Sequence, residues 1–173
     1  MNASSQRRSA TRRRSVVLAT VVLVLAILAA ACGPVEAPPP AGAPGAPPDA
    51  ITATIYNRTN ADRAAHGLGA VAWNARLAWL AGEWAHYLAD THQFFHRDLA
   101  STIDSPGFEA YAALGENILV GPAGINGDQM ENAWLASPGH YANIMGNYDT
   151  IGVAIAYGND GNVRAVANFG RHY

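Results

Sequence analysis

The sequence predicts an α+β fold, and two observations carry this prediction. Helical spacing of apolar residues dominates the first part of the region after residue 48, and it is clearest over residues 74–88. Two strand-like segments close the chain, residues 151–157 and 163–169, and a loop of hairpin-type residues separates them. Helices followed by an antiparallel pair favour an α+β arrangement over a parallel sheet.

Two helices come first in this region. The first is predicted to begin at Asp49 or Thr52 and to end near His66, where Gly67 stops it. The second begins after Asn74, because an asparagine side chain can bond the free amides of a first turn. Its apolar residues recur at helical spacing and predict the central core helix: Leu77, Leu80, Ala81, Trp84, Ala85 and Leu88.

The pattern weakens after the second helix. Residues 96–115 are interpreted as loop-rich, and Phe94 and Phe95 as core residues. We also expect three of the four tryptophans in the core: Trp73, Trp84 and Trp134.

A third helix is predicted over residues 128–137, and a break follows it. Pro138 and Gly139 interrupt the helical run, because proline lacks an amide donor and disfavours the α conformation of the residue before it. Ser137 can cap a further short helix through residues 141–143. His140 therefore lies just after a chain break, where it can be aimed at a site.

The N-terminal region has the marks of an export signal. Five arginines precede residue 15, an uncharged run covers residues 16–31, and small residues lead to Cys32, the only cysteine. This junction resembles the lipobox of bacterial lipoproteins, although Ala29 stands where leucine is usual. We expect a signal peptide over residues 1–31, and lipidation of Cys32 that holds the protein on the outer face of the membrane. An uncleaved anchor and a freely secreted protein are the alternatives.

Residues 32–48 are predicted to be a tether, and residues 49–173 one folded domain. Seven of the ten prolines lie in residues 33–48, which favours an extended, semi-rigid chain. Beyond residue 31 there are six arginines and 13 acidic residues, a net charge near −7. So acidic a domain excludes nucleic acid as a partner. We expect a monomer that contacts the membrane only through the lipidated cysteine.

Three polar residues are the main site candidates: His96, Glu116 and His140. Two imidazoles and a carboxylate in one cleft could hold a divalent cation such as zinc, with His96 and His140 as ligands, or position a water for proton transfer. Their separations of 20 and 24 residues are not a metal motif. From spacing alone, structural or surface roles are favoured.

A series of motifs favours a shared site for these three residues, because the series resembles the short bacterial branch of the CAP superfamily, also called SCP-like. The motifs follow the family's order over most of residues 50–171: N-R-T-N-A-D-R-A-A-H-G-L, A-G-E-W-A, H-R-D, G-E-N-I, W-L-A-S-P-G-H-Y-A-N-I, I-G-V-A and N-F-G. The resemblance implies an α-β-α sandwich with helices on both faces of a small antiparallel sheet, and a cleft containing His96, Glu116 and His140.

The resemblance also bears on the neighbours of these three residues. Asn117, Ser137 and Asn143 become secondary cleft candidates. The second glutamate of better-known members is replaced by Ser137, so the family's four-residue set is incomplete. Glu131 is one turn before Trp134 and could substitute, but we expect it to be exposed. His92 competes with His96 for a cleft role, and only His96 stands at the family's position.

Three functions stay open. The first is an envelope-tethered extracellular CAP module that is not an enzyme and binds a ligand or partner, with a lipid or sterol-like amphipath as one option. The second is a metal-assisted hydrolase or peptidase with Glu116 as base. The third is a structural protein of the bacterial cell envelope. The first is favoured, because Cys32 is the only cysteine and neither G-x-S-x-G nor H-E-x-x-H occurs.

Overall fold

The computed structural model describes Pro39 and residues 45–173. The predicted signal peptide, Cys32 and most of the tether lie outside these residues. Within them, no helix is long and apolar enough to cross a membrane. Residues 45–173 form nine elements, in this order: α1 Ala50–Ala65, β1 Ala72–Trp73, α2 Ala75–Thr91, α3 Leu99–Ile103, β2 Tyr111–Pro122, α4 Gly127–Leu135, α5 Pro138–Ile144, β3 Thr150–Tyr157 and β4 Asn162–His172.

The four strands form one sheet in the order β1-β3-β4-β2. The predicted hairpin of β3 and β4 is confirmed, with Val153 opposite Ala167, and β2 adds a long antiparallel ladder on the other side of β4. Only the two-residue β1 runs parallel to its neighbour β3. The strand β2 is therefore an edge of the sheet.

Helices cover both faces of the sheet, which confirms the predicted α-β-α sandwich. Because side chains alternate along a strand, each face has its own set of apolar residues. One face packs Ile118, Val166 and Ala156 under α2. The other face packs another set under α1, α4 and α5: Leu119, Val153, Ala165, Ala167 and Phe169, against Ile55, Met130, Trp134 and Ile144.

The first two helices begin where the sequence predicts. The Asp49 carboxylate accepts the amides of Ile51 and Thr52, so α1 starts at Ala50. The Asn74 side chain accepts the amides of Arg76 and Leu77 at the start of α2. These caps bond amides that a first turn leaves without partners.

The stretch that was expected to be loop-rich up to residue 115 contains two regular elements. Asp98 caps the short α3, and β2 begins at Tyr111. The strand was missed because it is buried on both faces near its centre, so apolar and polar residues do not alternate there. The expectation for Phe94 and Phe95 was also wrong, because both side chains are exposed.

One buried arginine connects three segments of the fold. Arg63, only 3% exposed, donates from its guanidinium to the carbonyls of Gly69, Ile144, Gly146 and Tyr148 at 2.8 to 3.2 Å. These bonds tie the end of α1 to the loop before β1 and to the loop after α5. The two loops line an open cavity of about 490 Å³, and Leu68, Ala70, Met145 and Tyr148 belong to this lining.

We predict that Arg63→Met lowers the free energy of unfolding by about 3 kcal/mol or more, because several buried carbonyls lose a charged donor. The matched control is Arg58→Met on the same helix. Arg58 bonds Asp128 and Asn132 at the surface, so its loss should cost less than about 1 kcal/mol. Urea unfolding followed by tryptophan fluorescence measures both. Equal losses would contradict the role given to Arg63.

Candidate functional site

The site is built at the edge strand β2. Two of its carbonyls, two residues apart, accept hydrogen bonds from side chains of the helices beyond the edge. Trp134 Nε1–H donates to the carbonyl of Ile118 at 3.1 Å, and Asn143 Nδ2–H donates to the carbonyl of Glu116 at 2.9 Å. An edge strand exposes unpaired backbone groups, and these two bonds satisfy part of them. They also fix α4 and α5 against the strand.

The predicted secondary residues Asn117 and Asn143 strengthen this attachment. Asn143 Nδ2 also donates to Asn117 Oδ1 at 2.8 Å, and Asn117 Nδ2 donates to the backbone carbonyl of His140 at 3.1 Å. The backbone of His140 is therefore bonded to β2 through an amide side chain. Ser137, the third secondary candidate, is the N-cap residue of α5, but its hydroxyl makes no capping bond. Its contribution is its carbonyl, which accepts the amide of Tyr141.

Glu116 lies on the opposite face of β2 from Asn117, as strand alternation requires. Its Oε1 accepts two hydrogen bonds, from His96 Nδ1–H at 2.9 Å and from the backbone amide of Arg97 at 3.0 Å. The Glu116 side chain is 1% exposed, whereas the His96 side chain is 56% exposed. A buried carboxylate thus orients an imidazole that faces solvent.

His140 completes the cluster from the other side of the edge. The ring centroids of His96 and His140 are 6.2 Å apart, and the ring planes are tilted by 58°. His96 lies in the layer that contains α2, and His140 lies in the layer that contains α5. The three residues singled out in the sequence, His96, Glu116 and His140, therefore lie together around β2.

Burial sets the electrostatics of the cluster. It raises the pKa of Glu116 above its ordinary value, although the bonds from Arg97 and His96 oppose this shift. Burial also lowers the pKa of His140, and the nearby His96 lowers it further. Both effects favour the neutral form of the His140 imidazole.

Asn168 is a polar neighbour that the sequence reading did not single out. It lies directly across from Glu116 in the β2–β4 ladder, and it is fully buried. Neither polar atom of its side chain has a hydrogen-bond partner among the described residues, and the same holds for Glu116 Oε2. The only signal for Asn168 was its place in the N-F-G motif.

The donor set falls short of a catalytic zinc site. Among the described residues, no three His, Cys, Asp or Glu side chains are arranged to hold a metal ion. His96 uses Nδ1 for Glu116, which leaves Nε2 of His96 and the ring of His140 as two ligands, whereas catalytic zinc takes three from the protein. Zinc binding by His96 and His140 stays a prediction.

Two alternatives weighed in the sequence lie elsewhere in the fold. His92 bonds Asn159 in the β3–β4 loop at 2.6 Å. The expectation that Glu131 is exposed was wrong, because its side chain is fully buried between α1 and α4 and accepts the hydroxyl of Thr59 at 2.9 Å. The helical pattern of α4 was too short to show that this position faces α1. Glu131 therefore bonds α1 and does not replace the family's second glutamate beside His140.

Comparison with known proteins gives a family match. The model of the CAP, cysteine-rich secretory protein family matches residues 56–169. No curated protein matches the chain.

Solved structures show the same fold. An outer surface protein from Borrelia burgdorferi superposes with a TM-score of 0.61 at 22% identity, covering 69% of this chain and 90% of that chain. An extracellular SCP-domain protein from Bacillus anthracis gives a TM-score of 0.57 at 25% identity, covering 70% and 40%. A cysteine-rich secretory protein from Staphylococcus aureus gives a TM-score of 0.57 at 24% identity, covering 70% and 38%. The chain spans less than half of the latter two.

We predict that Glu131 makes the stability fall as pH rises through neutrality. Burial raises the pKa of Glu131 from 4.5 to about 7, so between these values the folded state binds more protons than the unfolded state. The free energy of unfolding should therefore drop by about 3 kcal/mol between pH 4.5 and 7, and this part should vanish in Glu131→Gln.

Chemical denaturation at pH 5, 6, 7 and 8 measures the difference between the two proteins. The exposed acid Asp128 on the same helix provides the control Asp128→Asn, which should keep the wild-type dependence. A Glu131→Gln variant with an unchanged pH profile would contradict the assignment.

Proposed function

The chain belongs to the CAP family of cysteine-rich secretory proteins, and from this membership we propose that it is an extracytoplasmic binding module tethered to the cell envelope. The observation that carries the proposal is the convergence of His96, Glu116 and His140 at a solvent-facing edge of the sheet. Two of its structural neighbours are an outer surface protein and an extracellular SCP-domain protein, and this supports an extracytoplasmic place. Lipidation of Cys32 would supply the membrane attachment.

A binding role is favoured over catalysis by the groups that the cluster lacks. Cys32 is the only cysteine in the sequence, so the domain has no thiol nucleophile. None of the described serines donates to a histidine: Ser101 bonds Asp98, and Ser105 bonds the carbonyl of Ser101. Without an activated nucleophile or a third metal ligand, the cluster is suited to bonding a polar group of a ligand.

The apolar part of an amphipathic ligand would enter the cavity formed by the two loops that Arg63 ties together. Its volume of about 490 Å³ lies in the range of small-molecule pockets, and Leu68, Met145 and Tyr148 supply apolar lining. The hydroxyl of Tyr148 lies over Gly115, the residue before Glu116. A lipid or sterol-like amphipath therefore suits this region better than a fully polar ligand.

One observation favours a metal-assisted hydrolase as the second candidate. Burial raises the pKa of Glu116, which makes its carboxylate a stronger base, and lowers the pKa of His140, which favours the neutral imidazole that zinc takes as a ligand. Zinc bound by His96 and His140 would supply a water of lowered pKa.

We predict that the protein, after incubation with a bacterial lipid extract and re-isolation, retains a defined lipid that mass spectrometry detects. Met145→Trp should abolish retention, because the larger side chain fills the cavity. Tyr157→Trp, at an exposed position in β3, is the matched control and should retain the lipid. No retained species in a folded wild-type protein would count against the amphipath. Hydrolysed products that appear only with added zinc would favour the hydrolase.

A further inference from the structure

The surface beside the cluster contains aromatic side chains that the fold leaves exposed. Phe94 is 51% exposed, Phe95 44% and Tyr87 43%. Scattered apolar residues are common on protein surfaces, but a contiguous exposed aromatic group marks an interaction site. Phe95, Tyr87 and the half-buried Trp84 contact one another and are called the aromatic shelf.

Contacts between the rings hold the aromatic shelf in one arrangement. Trp84 and Tyr87 are stacked, with centroids 4.9 Å apart and planes within 8°. Phe95 stands at 84° to both rings, 5.1 Å from Trp84 and 6.1 Å from Tyr87. Trp84 Nε1–H also donates to the carbonyl of Phe95 at 3.1 Å. The aromatic shelf is therefore preorganised on the surface of α2, which reduces the entropy lost on binding.

The aromatic shelf continues into the polar cluster through residues 95–97. Phe95 precedes His96, whose imidazole bonds Glu116 and faces solvent. The next residue, Arg97, bonds Glu116 through its amide and places its guanidinium 5.2 Å from the centroid of the Trp84 ring. A ligand here would meet aromatic rings and hydrogen-bonding groups side by side.

The charged side chains around the aromatic shelf limit the class of ligand. Glu83 and Asp90 flank Tyr87 on α2, four residues before it and three after it, so both lie next to the aromatic shelf. The nearby cation Arg97 already lies against Trp84 and is balanced by Glu83 and Glu116. Anionic polymers and anionic membrane surfaces would be repelled by the two acids, and Arg97 already lies over the Trp84 ring, where a cationic group would bind. A neutral ligand matches this surface.

The shape of the surface further limits the class of ligand. The cavity of about 490 Å³ is lined by other residues, so an acyl chain on the aromatic shelf would stay largely in water. A pyranose ring combines an apolar C–H face, which packs on an aromatic ring, with a rim of hydroxyls, which bond imidazole and carboxylate groups. We propose that the aromatic shelf and His96 bind the sugar rings of a neutral glycan. This site is separate from the amphipath cavity.

The test uses the full chain in a sugar-free detergent, with chitohexaose and cellohexaose as probes. Calorimetry should show binding of at least one of them, together with a change in tryptophan fluorescence from Trp84. Phe95→Ser and Tyr87→Ser should each weaken binding about tenfold or more, as expected for aromatic anchors. Tyr157→Ser removes an equally exposed aromatic residue from β3 and should change the affinity less than about twofold.

Absence of heat and of a fluorescence change with both glycans at millimolar concentration would overturn the proposal, as would binding that Phe95→Ser and Tyr87→Ser leave intact. Self-association that Phe95→Ser abolishes, without glycan binding, would show instead that a second copy covers the aromatic shelf. Failure of the glycan proposal can be distinguished from failure of the proposed function, because lipid retention should depend on Met145 and not on Phe95.

Discussion

The hydrogen bonds that side chains make to the edge of β2 are the constraint on which the site depends. Trp134 and Asn143 bond carbonyls two residues apart, and so attach α4 and α5 to a strand whose outer side pairs with no other strand of residues 45–173. Arg63 donates hydrogen bonds to the carbonyls of Ile144 and Gly146, which follow Asn143 in the chain. The helix that presents His140 is thus fixed along its length to β2 and to the end of α1.

The consecutive residues Glu116 and Asn117 connect the two helical layers, because strand alternation points them to opposite faces. Glu116 holds His96 on one side, and Asn117 holds the backbone of His140 on the other. This arrangement places two imidazoles 6.2 Å apart around one strand edge without any direct bond between them. The cluster is therefore a product of the edge bonds, and it would supply the hydrogen-bonding groups of the proposed ligand site.

The sequence predicted the helix caps, the β3–β4 hairpin and, through the family resemblance, the α-β-α layers. It did not predict the contacts that assemble the site. A cap such as Asn74 bonds amides of its own helix, so the local sequence is enough to predict it. The motif order identified His96, Glu116 and His140, but not the bonds that bring them together. Burial of β2 on both faces hid its strand pattern, and the exposure of Phe94 has no periodic signal. Glu131 and Asn168 are buried polar residues, and only the packed structure shows their surroundings.

Nuclear magnetic resonance of His96 and His140 tests whether the edge bonds of β2 assemble the cluster. We expect a nuclear Overhauser effect between the rings of His96 and His140, and a pKa of His140 below its ordinary value. In Asn143→Ala the overall fold should remain, the effect between the rings should disappear, and the pKa of His140 should return toward its ordinary value. If the wild-type rings show no such effect and His140 titrates normally, the edge bonds do not assemble the site.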